Sequence, residues 1–345
     1  MSAALQSRAL SEQPDSPLSL ADLLQEVSLR SGIPLKKDIA AVSRCLPALP
    51  DGWHANGDDA AAIPLGDNAE HGYQLLAIEG MQGKFVAEQP WFAGWCSVMV
   101  NCSDIAAMGG RPTAVVDALW CDGEQWCRGE NSLLSELMRG MTDAAQHLGV
   151  PIVGGHTNLR SSEANLAVSI LGHAQRLLSA FAARPGQCLV VAMDHRGQFQ
   201  PGSLNWNAAT SAPSVRLRAD LELLPAIAEQ GLATACKDIS QAGLLGTLLM
   251  LLESSACGAD LDLNRLPVPE GIDLCDWLCA FPSFGYLLTT SAQSVNQLLS
   301  CFHGRDISAA VIGDITDGHQ LEVSWCGQRH LFYDLGDSGL TGFSG

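Results

Sequence analysis

The segment from Trp91 to Pro112, WFAGWCSVMVNCSDIAAMGGRP, constrains the fold of this chain most strongly. Its apolar residues recur at helical spacing, which predicts an amphipathic, largely buried helix. We expect Gly109-Gly110 to end this helix, because glycine adopts left-handed dihedral angles without steric cost. Asp104 interrupts the apolar face, and a buried carboxylate requires an ionic partner or a metal ion. Asp104 is therefore a candidate metal ligand; the alternative is that it caps the helix or faces solvent.

Composition and charge exclude several classes of protein. The chain has 345 residues, of which 47% are hydrophobic and 16% are charged, as expected for a globular protein with room for two domains. Its net charge is −18, from 37 acidic and 19 basic residues. This sign opposes binding to nucleic acid or to anionic membranes, and we expect neither partner. It suits a protein that gathers divalent cations and binds anionic substrates through them, although solubility alone explains it equally well.

Cysteine usage and the N-terminal sequence predict a cytoplasmic location. The twelve cysteines are scattered without a CxxC pair, which favours buried, reduced thiols over zinc sites or disulfides. The first residues lack the basic and apolar regions of a signal peptide. No apolar run reaches the length of about 18 residues that a membrane-spanning helix needs.

The chain divides into an extension and two larger units. Residues 1 to 17 are polar and rich in proline and serine, so we expect them to be disordered. Ser19 and Asp22 have the spacing of a capping box before a helix that Gly32 ends. A new unit begins near Arg184-Pro185-Gly186. The predicted division is an extension with one helix (1–34), a first α/β domain (35–176) and a second (177–345).

Acidic residues adjoin several predicted strands. Asp58 and Asp59 lie in GDDAA before an apolar strand, and Glu79 follows the predicted strand Tyr73–Ile78. Successive strand residues point to opposite faces, so only one of the two aspartates faces a given site. Asp238 lies between a short strand and an apolar helix, and it is either a site residue or the cap of that helix.

Two glycine-containing segments carry further candidates. In EGMQGKF, flexible backbone beside Lys84 suits contact with phosphate, although the spacing is not that of a Walker A loop. Gly154-Gly155-His156 follows the predicted strand Val150–Val153, at the position where α/β proteins bind ligands. His156 is alternatively a structural histidine.

The order of these motifs resembles the aminoimidazole-ribonucleotide synthetase superfamily over residues 50 to 320. GDDAA and NCSDIAAMGGRP are most similar to the thiamine-monophosphate kinase branch, whereas EGMQGKF is similar to the DGVGTKL element of the synthetase. The resemblance implies an α/β (α+β) fold with the two-domain PurM-like architecture. The N-terminal domain would bind ATP and pair its sheet across a homodimer, and a C-terminal α/β domain would pack beside it.

The resemblance also implies ATP and Mg²⁺ as cofactors and assigns roles to residues. Five carboxylates would hold magnesium: Asp58, Asp59, Glu79, Asp104 and Asp238. The residues expected to contact the nucleotide are Gly57, Lys84, Asn101, Gly109, Gly110, Gly154 and Gly155. Those expected to take part in catalysis are Asp104, Lys84 and His156. Oxygen ligands suit Mg²⁺, and phosphoryl transfer depends mainly on charge neutralisation and positioning.

Three features depart from the pattern of the kinase branch. His156 stands where that branch has an acid, Gln241 replaces its second acid after Asp238, and its acidic, histidine-containing element at a strand end is missing. Glu79 also stands where the family usually has an aspartate. We therefore expect an ATP-using enzyme whose acceptor differs from thiamine monophosphate. It would phosphorylate a small, anionic metabolite or activate an amide or carboxyl oxygen by phosphoryl transfer. The alternative is a nucleotide-binding regulatory protein in which catalysis has been altered.

Overall fold

The computed structural model describes residues 19–129 and 132–343. The prediction of disorder for residues 1 to 17 lies outside the described residues. The helices of the described chain are α1 (Leu20–Arg30), α2 (Ile33–Lys36), α3 (Ile39–Ser43), α4 (Gly83–Glu88), α5 (Pro90–Ala107), α6 (Gly123–Trp126), α7 (Leu133–Leu148), α8 (Ser214–Leu221), α9 (Leu223–Gln230), α10 (Gly243–Ser255), α11 (Leu274–Cys279) and α12 (Val295–His303). None of them combines the length and the apolar character that crossing a bilayer requires.

The strands form three sheets within the described residues. Their bounds are β1 (Ala61–Pro64), β2 (Tyr73–Met81), β3 (Arg111–Asp122), β4 (Ile152–Asn158), β5 (Arg160–Ala174), β6 (Cys188–Met193), β7 (Gln198–Phe199), β8 (Asn205–Asn207), β9 (Ala235–Asp238), β10 (Gly258–Asp262), β11 (Phe281–Pro282), β12 (Gly285–Thr290), β13 (Ser308–Thr316), β14 (Gln320–Trp325) and β15 (Gln328–Asp334). Strands and helices alternate through both halves of the chain, which confirms the predicted α/β class.

The first sheet has the strand order β1-β2-β5-β3-β4, with only β3 and β4 parallel. Helix α5 packs on its inner face against β2, β5 and β3, and α7 packs on α5. The two helices approach closely at Gly140, where an added Cβ would lie 1.9 Å from the carbonyl oxygen of Trp91. The outer face of the sheet exposes apolar side chains, among them Leu76 and Ile78.

The second sheet has the order β15-β14-β10-β13-β6-β12-β9. Helices α8, α9 and α12 share one apolar core with this sheet and with α5 of the first half. Helices α1, α10 and α11 form a second core on the opposite face. Because the first core includes Tyr286 and Leu288 of β12, apolar packing is continuous between the two sheets. A short third sheet, β11-β8-β7, completes the second half.

The central helix and its termination agree with the prediction. The helix α5 spans Pro90–Ala107, and Gly109 has a φ of +73°. The helix α1 also forms as predicted, with the Ser19 hydroxyl accepting a bond of 3.2 Å from the Asp22 N–H. The sequence also predicts a single helix over 215–227, but the structure divides this segment at Glu222 into α8 and α9. Pro225 lacks the N–H that would continue a single helix.

Two predicted loops are regular elements. The glycine pair Gly154-Gly155 lies inside β4, because this strand continues to Asn158 in parallel pairing with β3. The segment beginning at Gly83 is the helix α4, in which the Val86 N–H donates a 3.0 Å bond to the Gln82 carbonyl oxygen, so the predicted flexible backbone is helical. Both corrections change the roles open to residues predicted at these positions.

Candidate functional site

Acidic side chains from four distant segments meet where the two halves join. Asp104 lies near the end of α5, Glu79 near the end of β2 and Asp238 at the end of β9, while Asp58-Asp59 precedes β1. Contact between α5 and β9 brings Asp104 to Asp238. Asp104 is only 7% exposed, which excludes the alternative that it faces solvent. Asp238 does not cap α10, because that helix begins at Gly243 after an N-cap at Ala242.

Three of these carboxylates lack a partner. Across residues 19–129 and 132–343, no hydrogen bond or ion pair reaches the side chains of Glu79, Asp104 or Asp238. Burial, followed by the charges of Asp238 and Glu79, raises the pKa of Asp104 well above its usual range. Burial and the charge of Asp59 raise the pKa of Asp238 to about 7. Buried acids that repel one another in this way are stabilised by a cation.

Asp58, in contrast, is held by the chain itself. Its Oδ2 atom accepts hydrogen bonds of 2.7 Å from the Ser179 hydroxyl and 3.1 Å from the Ala180 N–H. The Nε2 atom of His54 lies 3.0 Å from the same oxygen. Although burial acts in the opposite direction, the hydrogen bond with His54 and the charge of Lys237 lower the pKa of Asp58. The Asp58 carboxylate therefore binds the segment that connects the two halves.

Asp59 is paired with a buried lysine. Its Oδ1 atom contacts the Lys237 ammonium, and its Oδ2 atom accepts a bond of 3.1 Å from the Asp238 N–H. Burial opposes ionisation of both groups and raises the pKa of Asp59, but the carboxylates Asp59 and Asp58 raise the pKa of Lys237. Because two donors point at Asp59, the pair is an ammonium and a carboxylate.

The donor set fits a hard cation such as Mg²⁺, which prefers oxygen ligands. In the part of the chain that the structure describes, no group of three or more histidine, cysteine, aspartate or glutamate side chains is already gathered tightly enough to enclose a metal ion. Mg²⁺ usually takes one or two carboxylates and completes its shell with water and phosphate oxygens. Glu79, Asp104 and Asp238 are the residues free to supply such ligands.

A basic residue of the N-terminal segment also reaches this site. Burial raises the pKa of both Glu79 and Asp238, and the charge of Lys36, the last residue of α2, opposes this rise. Helix α2 is placed there by Gly32, whose N–H donates a 3.0 Å bond to the Gln241 carbonyl oxygen. Lys36 thus offers a positive charge at the edge of the acidic cluster.

Three residues predicted to contact nucleotide serve internal packing instead. The Asn101 amide is buried and donates to the carbonyl oxygens of Ser97 at 2.8 Å and Val168 at 3.0 Å, which ties α5 to β5. An added Cβ would lie 2.9 Å from the Arg176 carbonyl oxygen at Gly109 and 2.2 Å from Leu75 at Gly110. The close approach that these glycines permit is therefore to the chain itself.

Gly57 is packed under the C-terminal segment. It has a φ of +110°, and an added Cβ would lie 2.4 Å from the Phe343 ring. That segment is anchored by the Glu253 carboxylate, which accepts bonds of 2.7 Å from the N–H groups of both Leu340 and Thr341. Phe343 therefore covers the loop that carries Asp58 and Asp59.

The remaining predicted residues, Lys84, Gly154, Gly155 and His156, are exposed. Lys84 is 82% exposed on α4 and lies 3.8 Å from Glu88. His156 pairs with Ala118 on the outer face of the first sheet, whereas Glu79 pairs with Val168 on the inner face. Gly154 and Gly155 share the exposed strand β4 with His156. Two strands, β5 and β3, lie between the strand of Glu79 and this group.

Sequence reasoning missed three contributors to the site. Lys237 directly precedes Asp238, Ser179 lies in the connection between the halves, and Lys36 lies in the N-terminal segment. A lysine that follows the apolar residues Ala235 and Cys236 in the strand β9 is the one signal that points to an internal ion pair. Nothing in the local pattern marks Lys36 or Ser179.

Comparison with known proteins identifies the family. The chain matches the N-terminal domain of AIR synthase related proteins over residues 57–174 and the C-terminal domain over residues 188–326. It is 43% identical over 330 residues to the uncharacterized protein sll0787 of Synechocystis sp., covering 94% of this chain and 99% of that protein. It is 31% identical over 230 residues to a thiamine-monophosphate kinase of Halobacterium salinarum, covering 63% of this chain and 71% of the kinase.

A solved structure shares the fold. PurL of T. maritima complexed with ATP superposes with a TM-score of 0.69 at 20% identity, and the alignment covers 92% of this chain and 52% of that structure. The chain thus spans about half of that protein's length. The two halves of the present chain correspond to the two domains of the PurM-like architecture. Since the family models match both halves and relatives align over most of the chain, this protein belongs to the AIR synthase related family.

Proposed function

We propose that this protein is a Mg²⁺-dependent, ATP-using enzyme whose ATP-binding domain is residues 35–176. It transfers the terminal phosphoryl group of ATP to a small, anionic metabolite, or to an amide or carboxyl oxygen that is thereby activated for attack. The observation that carries this proposal is the meeting of Glu79, Asp104 and Asp238 without partners at the junction of the two halves. Unpartnered acids at such a junction suit a bound cation and its phosphate ligands.

Each group at the junction then has a defined task. Mg²⁺, when bound, neutralises phosphate charge and favours in-line transfer. Asp104, Asp238 and Glu79 would hold the ion, and Lys36 would supply positive charge to the phosphate oxygens. The N-terminus of α10, which has no side-chain cap, favours negative charge in the same region.

The relatives support nucleotide use and leave the acceptor open. One is named a thiamine-monophosphate kinase, and a PurL structure that shares the fold is complexed with ATP. The net charge of −18 means that an anionic acceptor must be drawn in by bound cations or by local groups such as Lys36. We therefore favour acceptors that carry a carboxylate or phosphate.

The test measures ADP formation from ATP and Mg²⁺ with a panel of small carboxylates, amides and phosphate esters. ³¹P NMR distinguishes a stable phosphorylated product from an activated intermediate that releases inorganic phosphate. Acceptor-dependent turnover in the wild type and its loss in Asp104→Asn support the proposal. Tight binding of Mg·ATP without turnover on any acceptor would favour the regulatory alternative, which the histidine at 156 and the glutamine at 241 suggest.

We further propose that the protein is a cytoplasmic homodimer. The outer face of the first sheet exposes Leu76, Ile78, Val116 and Leu171 by 38 to 68%. Leu76 lies opposite Leu171, and Ile78 and Val116 flank Ser169, so these side chains form one apolar patch. Such a patch on a soluble protein marks an interaction surface, and a second copy of the sheet matches its shape and polarity.

A further inference from the structure

We propose that the Lys237 ammonium is a permanent cation of the nucleotide site and occupies the place beside Asp59 that a divalent ion would otherwise take. The site therefore binds one divalent ion fewer than it would if all five carboxylates were metal ligands. This inference rests on the proposed function, because it concerns the ions that accompany ATP.

The contacts of Asp59 leave it little capacity for a metal ion. One oxygen contacts Lys237 Nζ, and the other accepts the 3.1 Å bond from the Asp238 N–H. The side chains of Lys237 and Asp59 are only 6% and 5% exposed. A divalent ion at Asp59 would have to displace a buried ammonium, whose like charge would also repel it.

The position of Lys237 makes displacement costly. Its backbone lies in β9, where Lys237 pairs with Leu287 of β12. The junction between the halves surrounds the side chain, and the nearby charges of Asp59, Asp58 and Asp238 all attract the ammonium. Moving it into water would break this packing and leave Asp59 without its counter-ion. Removal of one member of a buried ion pair is strongly unfavourable.

The five carboxylates therefore divide into two groups. Asp58 and Asp59 are engaged by donors of the chain, among them Ser179, Ala180 and Lys237. Glu79, Asp104 and Asp238 have no such partners within the described ranges. Only the second group is available to ions that arrive with the nucleotide. Lys237 supplies the remaining positive charge from within the protein.

Manganese binding tests this assignment directly. Mn²⁺ bound per chain is counted by electron paramagnetic resonance on the full-length protein, with and without a non-hydrolysable ATP analogue. In Lys237→Met the freed Asp59 becomes a ligand, and we expect one additional Mn²⁺ per chain. In the double variant Asp59→Asn/Lys237→Met that ligand is absent, and the count returns to the wild-type value. Arg139→Met, which removes a surface ion pair with Glu136, is the matched control.

Each outcome decides the inference. Equal, non-zero counts in the wild type and in Lys237→Met would overturn it and leave the proposed function standing. The absence of bound Mn²⁺ from every variant would overturn both. If Lys237→Met does not fold, the charge-neutral double variant replaces it. A double variant that binds one ion fewer than the wild type would make Asp59 a metal ligand and refute the role of Lys237.

Discussion

The Asp58 carboxylate accepts a hydrogen bond of 2.7 Å from the Ser179 hydroxyl and thereby joins segments 121 residues apart in sequence. The same carboxylate also receives the Ala180 N–H. An aspartate that the resemblance assigned to magnesium thus helps to hold the two halves of the chain together.

We expect Asp58→Ala to destabilise the protein by about 3 kcal/mol, because several hydrogen bonds to one buried charge are lost together. Urea denaturation measures the change in the free energy of unfolding. Asp51→Ala, at an exposed position, is the control and should be neutral. An unchanged urea midpoint for Asp58→Ala would mean that the hydrogen bonds of Asp58 contribute nothing to stability.

In contrast to Asp58→Ala, we expect the substitution Asp104→Asn to preserve stability and to abolish turnover. The amide removes a charge that faces Asp238 and Glu79, so the melting temperature should stay within a few degrees of the wild-type value or rise. Turnover of ATP should be abolished, because the amide is a poor ligand for Mg²⁺. Calorimetry and an ADP assay on the same preparation measure both effects. Retained turnover would remove Asp104 from the site.

Glu253 anchors the C-terminal segment through a buried carboxylate that accepts four hydrogen bonds, from Leu340, Thr341 and Gly342. In Glu253→Gln the amide NH₂ faces these donors, and we expect a loss of about 2 kcal/mol. Carboxypeptidase should then release residues 340–345 faster than from the wild type. The exposed Glu270→Gln serves for comparison, and equal release rates would argue against an anchoring role.

If the apolar patch on the first sheet is the dimer interface, a charge introduced into the patch should dissociate the proposed homodimer. Ile78→Asp places a charge at the most exposed apolar position of the patch, 68% accessible in the single chain. Light scattering should detect a dimer for the wild type and a monomer for the variant, because a buried unpaired charge is costly. Val215→Asp, on an exposed position of α8, should leave the mass unchanged. A monomeric wild type would contradict the proposed dimer.

Because His195 is partly buried, we expect the free energy of unfolding to decrease at acidic pH. Burial lowers the pKa of His195 despite the opposing charge of Asp194, and its ring packs edge-on against Trp277 with centroids 5.3 Å apart. A histidine with a lowered pKa stabilises the fold above its unfolded pKa of about 6.5, and this contribution is lost as the pH falls.

The free energy of unfolding should therefore decrease more between pH 7.5 and pH 5.5 in the wild type than in His195→Gln. Urea titrations at the two pH values measure the difference. His71→Gln, at an exposed histidine, should retain the wild-type decrease. Identical decreases in the wild type and in His195→Gln would rule out His195 as the source.

Periodicity predicted the buried helix α5, and the family resemblance implied the two-domain fold and the meeting of Asp104 with Asp238. It did not predict which acids are already occupied. That depends on Ser179 and Lys237, which approach Asp58 and Asp59 only after the two halves pack. The sequence predicts a strand that ends at Val153, yet parallel pairing with β3 continues β4 through the glycine pair at 154–155. Lys36 has no local signal, because its role arises from the docking of α2.

The contact between Phe343 and Gly57 has a practical consequence for experiments on this protein. A purification tag fused after residue 345 begins three positions beyond Phe343, whose ring packs on the loop that carries Asp58 and Asp59. Added charge or bulk at that point can shift ion counts and nucleotide affinities without any mutation. Titrations should therefore be compared before and after proteolytic removal of such a tag.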